Sequence, residues 1–126
     1  PRAMIVAGFG FSTRAQDHSL RDALRLACAA SEVSGQDALA TAQDKAGALT
    51  TLSQWLGVPV HPIAQDTLAR QNTHTRSPRV AAERATGSVA EAAALAAAGP
   101  GARLLTPRVH APDRLASCAI AQGAPS

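Results

Sequence analysis

Ser12, Thr13 and Arg14, then Thr41 and Lys45, then Ser88, and last Arg108 are the residues of this chain best suited to chemistry. That chemistry is the holding of anions. Hydroxyls and loop amides donate hydrogen bonds, and the cations among them supply charge. Ser88 also opens the run GSVAEAAALAAAGPG, which reads as a helix marked at both ends. Ser88 stands at the N-cap, Glu91 three places later in the capping-box position, and Gly99-Pro100-Gly101 as the terminator. The free amides of such a helix start attract negative charge, at about 0.3–1 kcal/mol for each charge. Useful affinity therefore needs several contacts, which favours a ligand with several carboxylates or phosphates. Glu91 competes for the same amides, so the pattern serves equally as a self-capped structural helix.

Other chemistries find less support. Gly8 and Gly10 begin a dinucleotide fingerprint, but Thr13 stands at its third glycine position, and a lone GxG does not make a nucleotide site. Neither a P-loop nor a GxSxG elbow occurs. His18, His61, His74 and His110 are scattered, none at i+3 or i+4 from another, so no metal site and no metal or other cofactor is expected. One Trp, two Phe and no Tyr leave no stacking platform for nucleic acid.

The elements that must position these residues alternate between strand and helix. The apolar run 3–8 marks a central strand, followed by a glycine-bearing loop over 8–14. Leu20, Ala23, Leu24, Ala27 and Cys28 repeat at helical spacing, with Gly35 as the stop. A strand at 38–41 follows, then a helix opening at Asp44 and Lys45, running through Leu49, Leu52 and Leu56 and ending at Gly57. The segment 58–63 is a third strand, and its two prolines suit an edge. A short helix at 66–71, a polar basic loop at 72–78 and an ambiguous segment at 80–84 lead to the capped helix. The alanine of that helix lets it lie flat on a sheet. A buried strand at 102–106 comes next, closed by Pro107-Arg108. The run 115–121 forms a final antiparallel edge strand, and 122–126 a disordered polar tail.

This order predicts an α/β fold, a single three-layer α/β/α domain over 1–126 with a mixed, mostly parallel sheet of about five strands. Ligands of such sheets bind beyond the carboxyl ends of the strands. Segments 8–14, 41–45 and either 87–91 or 106–108 should meet there.

Composition agrees with one small soluble domain. The chain has 126 residues, 46% of them apolar, mainly alanine, with only 2% aromatic, so Leu, Val and Ile must fill the core beneath alanine faces. The net charge of +3 is carried almost wholly by arginine; Lys45 is the single lysine. Cys28 and Cys118 form no CxxC pair and read as buried thiols of a reducing compartment. With no apolar segment of spanning length and no signal-like run, a cytoplasmic location without a membrane partner is expected.

The segments GFGF, LATAQDKAGALTTLSQWLGVPV, THTRSPRVAAERATGSVAEAAALAAAGPGARLLTPR and SCAIA together resemble one family. It comprises CobE and the C-terminal domain of CbiG, the cobalt-precorrin-5A hydrolase of cobalamin biosynthesis. The resemblance spans nearly the whole chain, and its most specific part is T-x-S, then GSVAEAAAL, then a strand ending in Pro-Arg. Ser117 departs from the family's T-C-A-I-A close. The resemblance implies a tetrapyrrole ligand, a precorrin-type intermediate with acetate and propionate side chains. It also implies a place in the aerobic route to vitamin B12, alongside other cobalamin-pathway enzymes. The residues matched to the family's polar edge form the ligand-binding set: Gly10, Phe11, Ser12, Arg14, Thr41, Lys45, Ser88, Val89, Glu91 and Arg108.

Two activities follow from the resemblance. One is a carrier or chaperone without turnover. The other is a hydrolase acting on a precorrin lactone or an acetyl or methoxy fragment, in which Glu91 or Asp44 orients water and Lys45 or Ser88 steadies an oxyanion. Glu91 and Lys45 are thus the catalytic candidates.

Overall fold

The computed structural model describes residues 3–71, 73 and 88–124. The expected 72–78 loop, save Thr73, and the 80–84 segment lie outside the described residues. Five strands and four α-helices are described: β1 Ile5–Phe11, α1 Asp17–Ser31, β2 Ala38–Ala42, α2 Thr50–Leu56, β3 Val60–Ile63, α3 Gln65–Ala69, α4 Val89–Ala98, β4 Arg103–His110 and β5 Ala116–Gln122. A 3₁₀ helix, Gln43–Leu49, links β2 to α2. The sheet order is β3-β2-β1-β5-β4. Strands β1 to β3 are parallel, β5 runs against both its neighbours, and β4 therefore points the same way as β1. The expected mixed, mostly parallel α/β sheet is present.

Two apolar layers sandwich it. On one face Leu20, Ala23, Leu24 and Ala27 of α1, with Leu49 and Leu52, cover Ile5, Ala7, Phe9, Leu39, Cys118 and Ile120. On the other, Ala92 and Ala93 of α4 and Leu68 of α3 meet Val6, Ala40, Ala42 and Ile63. This second face is built from small residues, and α4 comes down almost onto the backbone. A Cβ on Gly8 would stand 2.1 Å from the Ala90 carbonyl oxygen and 2.6 Å from the Ala94 nitrogen. Gly8 and Gly10 accordingly belong to β1, not to a loop beginning at residue 8 as the sequence suggests. Their alternate spacing puts both on the helix-facing side of the strand.

Other boundaries also move, each for a local reason. Helix α1 ends at Ser31, ahead of Gly35, because Glu32 takes the left-handed conformation (φ 58). The Glu32 N–H donates to the Ala29 carbonyl and the Val33 N–H to the Cys28 carbonyl, at 3.3 and 3.1 Å. With Val33 packed on the core, this is a complete Schellman closure. The second helix opens as 3₁₀ and becomes α-helical only at Thr50, and it ends at Gly57 as expected. Strand β4 does not close at Pro107-Arg108 but continues to His110, with register shifts on either side of Thr106. It is an edge strand and mostly half-exposed, so Pro107 costs no ladder bond on the open side. The strand expected to form that edge, β5, is interior, paired with β1 on one side and β4 on the other, and Ala116 to Ala121 are buried between α1 on one face and α4 on the other. Of the expected 122–126 tail, Gln122 ends β5 and the Gly123 N–H donates to the Met4 carbonyl at 2.8 Å, so these two residues belong to the fold. Strand β3 is the opposite edge, as its prolines require.

Candidate functional site

The strand order reverses direction at β1, with β2 on one side and β5 on the other. A crevice opens there, beyond the carboxyl end of β1. Its volume is about 580 Å³, and its walls are the β1–α1 loop and first turn of α1 on one side and the 3₁₀ helix on the other. Phe11, Ser12, Thr13, Gln16, Asp17 and Leu20 face Asp44 and Lys45 across it. Lys45 reaches this position because β2 ends at Ala42 and the chain turns at once into 3₁₀ geometry. The Lys45 Nζ donates to the Phe11 carbonyl and lies 5.1 Å from the centre of the Phe11 ring. One cation is thereby fixed by a hydrogen bond and an aromatic face at the mouth of the cleft.

The loop above it is locally built. The Ser12 hydroxyl accepts from the Arg14 N–H at 3.1 Å, and the Ser12 carbonyl from the Ala15 N–H at 3.1 Å. The Ser12 N–H donates to the Leu115 carbonyl at 2.9 Å, which ties the loop to the β4–β5 connection. Ser12, Thr13 and Arg14 are all exposed.

The expected set thus divides. Phe11, Ser12 and Lys45 share the cleft, and Arg14 stands on its rim loop. Thr41 is fully buried, and its hydroxyl donates to the Phe9 carbonyl at 2.8 Å. Ser88, Val89 and Glu91 belong to the start of α4 on the other face of the sheet, against Gly10: a Cβ there would lie 3.4 Å from the Ala90 nitrogen and 3.5 Å from the Val89 Cβ. The Ser88 hydroxyl accepts from the Glu91 N–H at 3.2 Å, as an N-cap should. The Glu91 carboxylate, 0% exposed, accepts the Arg108 N–H at 2.9 Å where β4 slips register. Ser88, Thr41 and Glu91 therefore hold the fold around the site.

Sequence reasoning did not pick out a second cluster. The Asp113 carboxylate accepts from the Ser19 hydroxyl at 2.5 Å and the Leu115 N–H at 2.9 Å, and lies 3.5 Å from His18. These hydrogen bonds, the Ser19 one first, hold its pKa below the usual carboxylate value. Burial, and after it Arg108 and Arg114, push the His110 pKa down. Burial raises the thiol pKa of both Cys28 and Cys118, the latter far above the ordinary value. The APD turn at 111–113 is the only sequence signal of this cluster, and it marks a turn without its partner Ser19. Among the described residues no group of His, Cys, Asp and Glu could hold a metal ion, and no helix is long and apolar enough to cross a membrane.

Comparison with known proteins gives a consistent answer. Residues 5–121 match the family described as cobalamin synthesis G C-terminus. No curated protein sequence matches. Among solved structures, the chain is similar to CobE, a protein from the cobalamin (vitamin B12) biosynthetic pathway: TM-score 0.80, 31% identity, 98% of this chain and 93% of that one. It is similar also to the cobalamin biosynthesis protein chiG from Agrobacterium tumefaciens: TM-score 0.73, 35% identity, 95% and 98%. A cobalamin biosynthesis protein G homologue from Sulfolobus solfataricus shares the fold at 16% identity and TM-score 0.70, with 97% of this chain on 37% of that one. A match over nearly the whole length, two relatives above 30% identity and the same sheet place the chain in cobalamin biosynthesis: it belongs to the cobalamin synthesis G C-terminal family.

Proposed function

We propose that this chain binds a corrin-ring precursor through the ring's peripheral carboxylates and carries or protects it between the enzymes of cobalamin biosynthesis. The observation that carries this reading is Lys45, set on the Phe11 ring and carbonyl at the mouth of the cleft beyond central β1. The cleft falls within the range of roughly 300–1,000 Å³ usual for small-molecule sites. Phe11, Leu20, Ala15 and Ala48 give it apolar wall for a ring edge, while Ser12, Thr13 and Lys45 give it donors. Mixing the protein with a panel of purified precorrins, followed by gel filtration and mass measurement of retained pigment, tests the reading. A retained intermediate with shifted visible bands, and about tenfold weaker binding for Lys45→Ala, is the expected result. No retained pigment, or an unchanged affinity in Lys45→Ala, would overturn it.

Asp44 supports a second reading. It lines the same cleft as Lys45, where a carboxylate could orient water against a lactone or acyl fragment while the ammonium steadied the oxyanion. The hydrolase reading expects Asp44→Ala to retain an intermediate that the unaltered protein converts. Recovery of the same unconverted pigment from both proteins would rule it out. Glu91, the other carboxylate candidate, is committed to the Arg108 amide.

A further inference from the structure

Most cations described in this structure have partners. Arg25 pairs with Asp22 at 3.7 Å and Arg70 with Asp66 at 4.0 Å, and Arg103 donates to the Gln122 side-chain oxygen at 3.1 Å. Arg21 lies over the Trp55 ring at 5.5 Å, and Lys45 is held by Phe11. Apart from His61, on β3 at the far edge of the sheet, the exceptions fall together. Among the described residues the side chains of Arg108, His110 and Arg114 have no ion-pair or hydrogen-bond partner, and all three belong to the hairpin joining β4 to β5. Arg14, likewise without a partner, stands on the loop bonded to that hairpin through Ser12 and Leu115.

The hairpin is firmly made. The Ala111 N–H donates to the Ala116 carbonyl at 2.8 Å, and the Arg114 N–H to the Ala111 carbonyl at 2.9 Å. Arg114 sits at φ 63, a conformation that Gly or Asn adopts more readily, so the turn itself does not call for arginine. The carboxylates that could neutralise these cations are committed elsewhere. Glu91 holds the Arg108 backbone, and Asp113 faces Ser19, Leu115 and His18. The two arginines already bear on His110. Gathered like charges without a counter-ion disfavour one another, and an arriving anion relieves that.

We propose that Arg108, His110 and Arg114 form a second carboxylate-gripping site, two strands along the sheet edge from the Lys45 cleft, for the outlying carboxylates of the same macrocycle. The spacing from β1 across β5 to β4 is about 10 Å, comparable to the width of a tetrapyrrole ring. This inference rests on the corrin-precursor reading of the cleft. It makes the bound ring span the carboxyl edge of the sheet, held at both sides.

The test titrates the protein with cobyrinic acid (a corrin with free peripheral carboxylates), with its methyl ester, and with mellitate, a polycarboxylate without the large ring. The variants are Lys45→Ala, Arg108→Ala, His110→Ala and Arg114→Asn, the last chosen because Asn tolerates the left-handed turn. Thermal unfolding checks each fold. Arg108→Ala and Arg114→Asn should each weaken cobyrinic acid binding by about five- to tenfold, flatten its salt dependence and leave the ester unaffected. Binding near pH 6 should take up a proton, read by calorimetry in buffers of different ionisation heat, and His110→Ala should abolish that uptake. If Lys45→Ala weakens binding while the three hairpin variants change neither affinity, salt slope nor proton uptake, the second site is wrong and the cleft stands. If no variant, Lys45→Ala included, alters binding, the cleft reading falls and this one with it. Equal affinity for mellitate and cobyrinic acid would overturn the ring-spanning geometry.

Discussion

Gly8 shows how a single residue can be misread without its partner. In sequence the pair Gly8 and Gly10 resembles the start of a dinucleotide fingerprint; in the fold it is the seat of a helix. Gly8→Ala would drive a methyl group into the Ala90 carbonyl, and the expected loss is about 1–3 kcal/mol or more, measured by urea unfolding. Gly35→Ala, with nothing within 4 Å, should be neutral or slightly stabilising in the same assay. Two titrating groups set the pH response. Asp113 has a depressed folded pKa, so its stabilisation is complete above the ordinary carboxylate value of 3.8 and is lost as pH falls through the folded value. His110 is also depressed: below 6.5 the unfolded chain takes up the proton first, so stability declines from there toward its folded value. Urea midpoints should therefore fall on the acid side of pH 6.5, and Ser19→Ala, which removes the first cause of the Asp113 depression, should shrink the part of that fall that Asp113 contributes. The residue types of the cleft were legible because Lys45 is the single lysine of the chain and Ser12 and Thr13 follow closely on an apolar strand run. The Asp113–Ser19 bond was not, since it joins positions 94 residues apart.

Among the elements, α4 was read most fully. Its N-cap, its termination and its flat seating all follow from local composition. The fate of the Glu91 carboxylate does not, because the amide it accepts belongs to a register slip in another strand. The two contacts separate experimentally. Ser88→Ala should cost about 1 kcal/mol, the usual value of a lost cap. Glu91→Ala leaves the Arg108 amide without its acceptor and should cost about 1–3 kcal/mol, while Glu91→Gln, which keeps an acceptor oxygen, should recover much of it. Equal losses for Ser88→Ala and Glu91→Ala in chemical denaturation would reduce Glu91 to a cap. Strand boundaries were blurred where a tertiary partner decides them. Pro107 reads as a stop, yet it is tolerated inside β4 because that strand lies at the edge.

For the whole molecule, alternation of strand and helix was enough to predict the layers and the mostly parallel sheet. It could not supply strand order. Local sequence shows β4 and β5 as neighbours, but only burial on both faces puts β5 inside, where it meets β1 over seven residue pairs. That placement governs how the chain reaches its native state. The central strand β1 is among the first segments in sequence, and the neighbour that completes it is the latest of the described strands. Nearly the whole intervening chain must be in hand before the middle of the sheet can close, which is a costly long-range search. A version ending at Leu115 should show no cooperative melting transition, and a synthetic peptide of residues 116–124 added to it should restore one. Assembly here is less like zipping from one end than like setting a keystone.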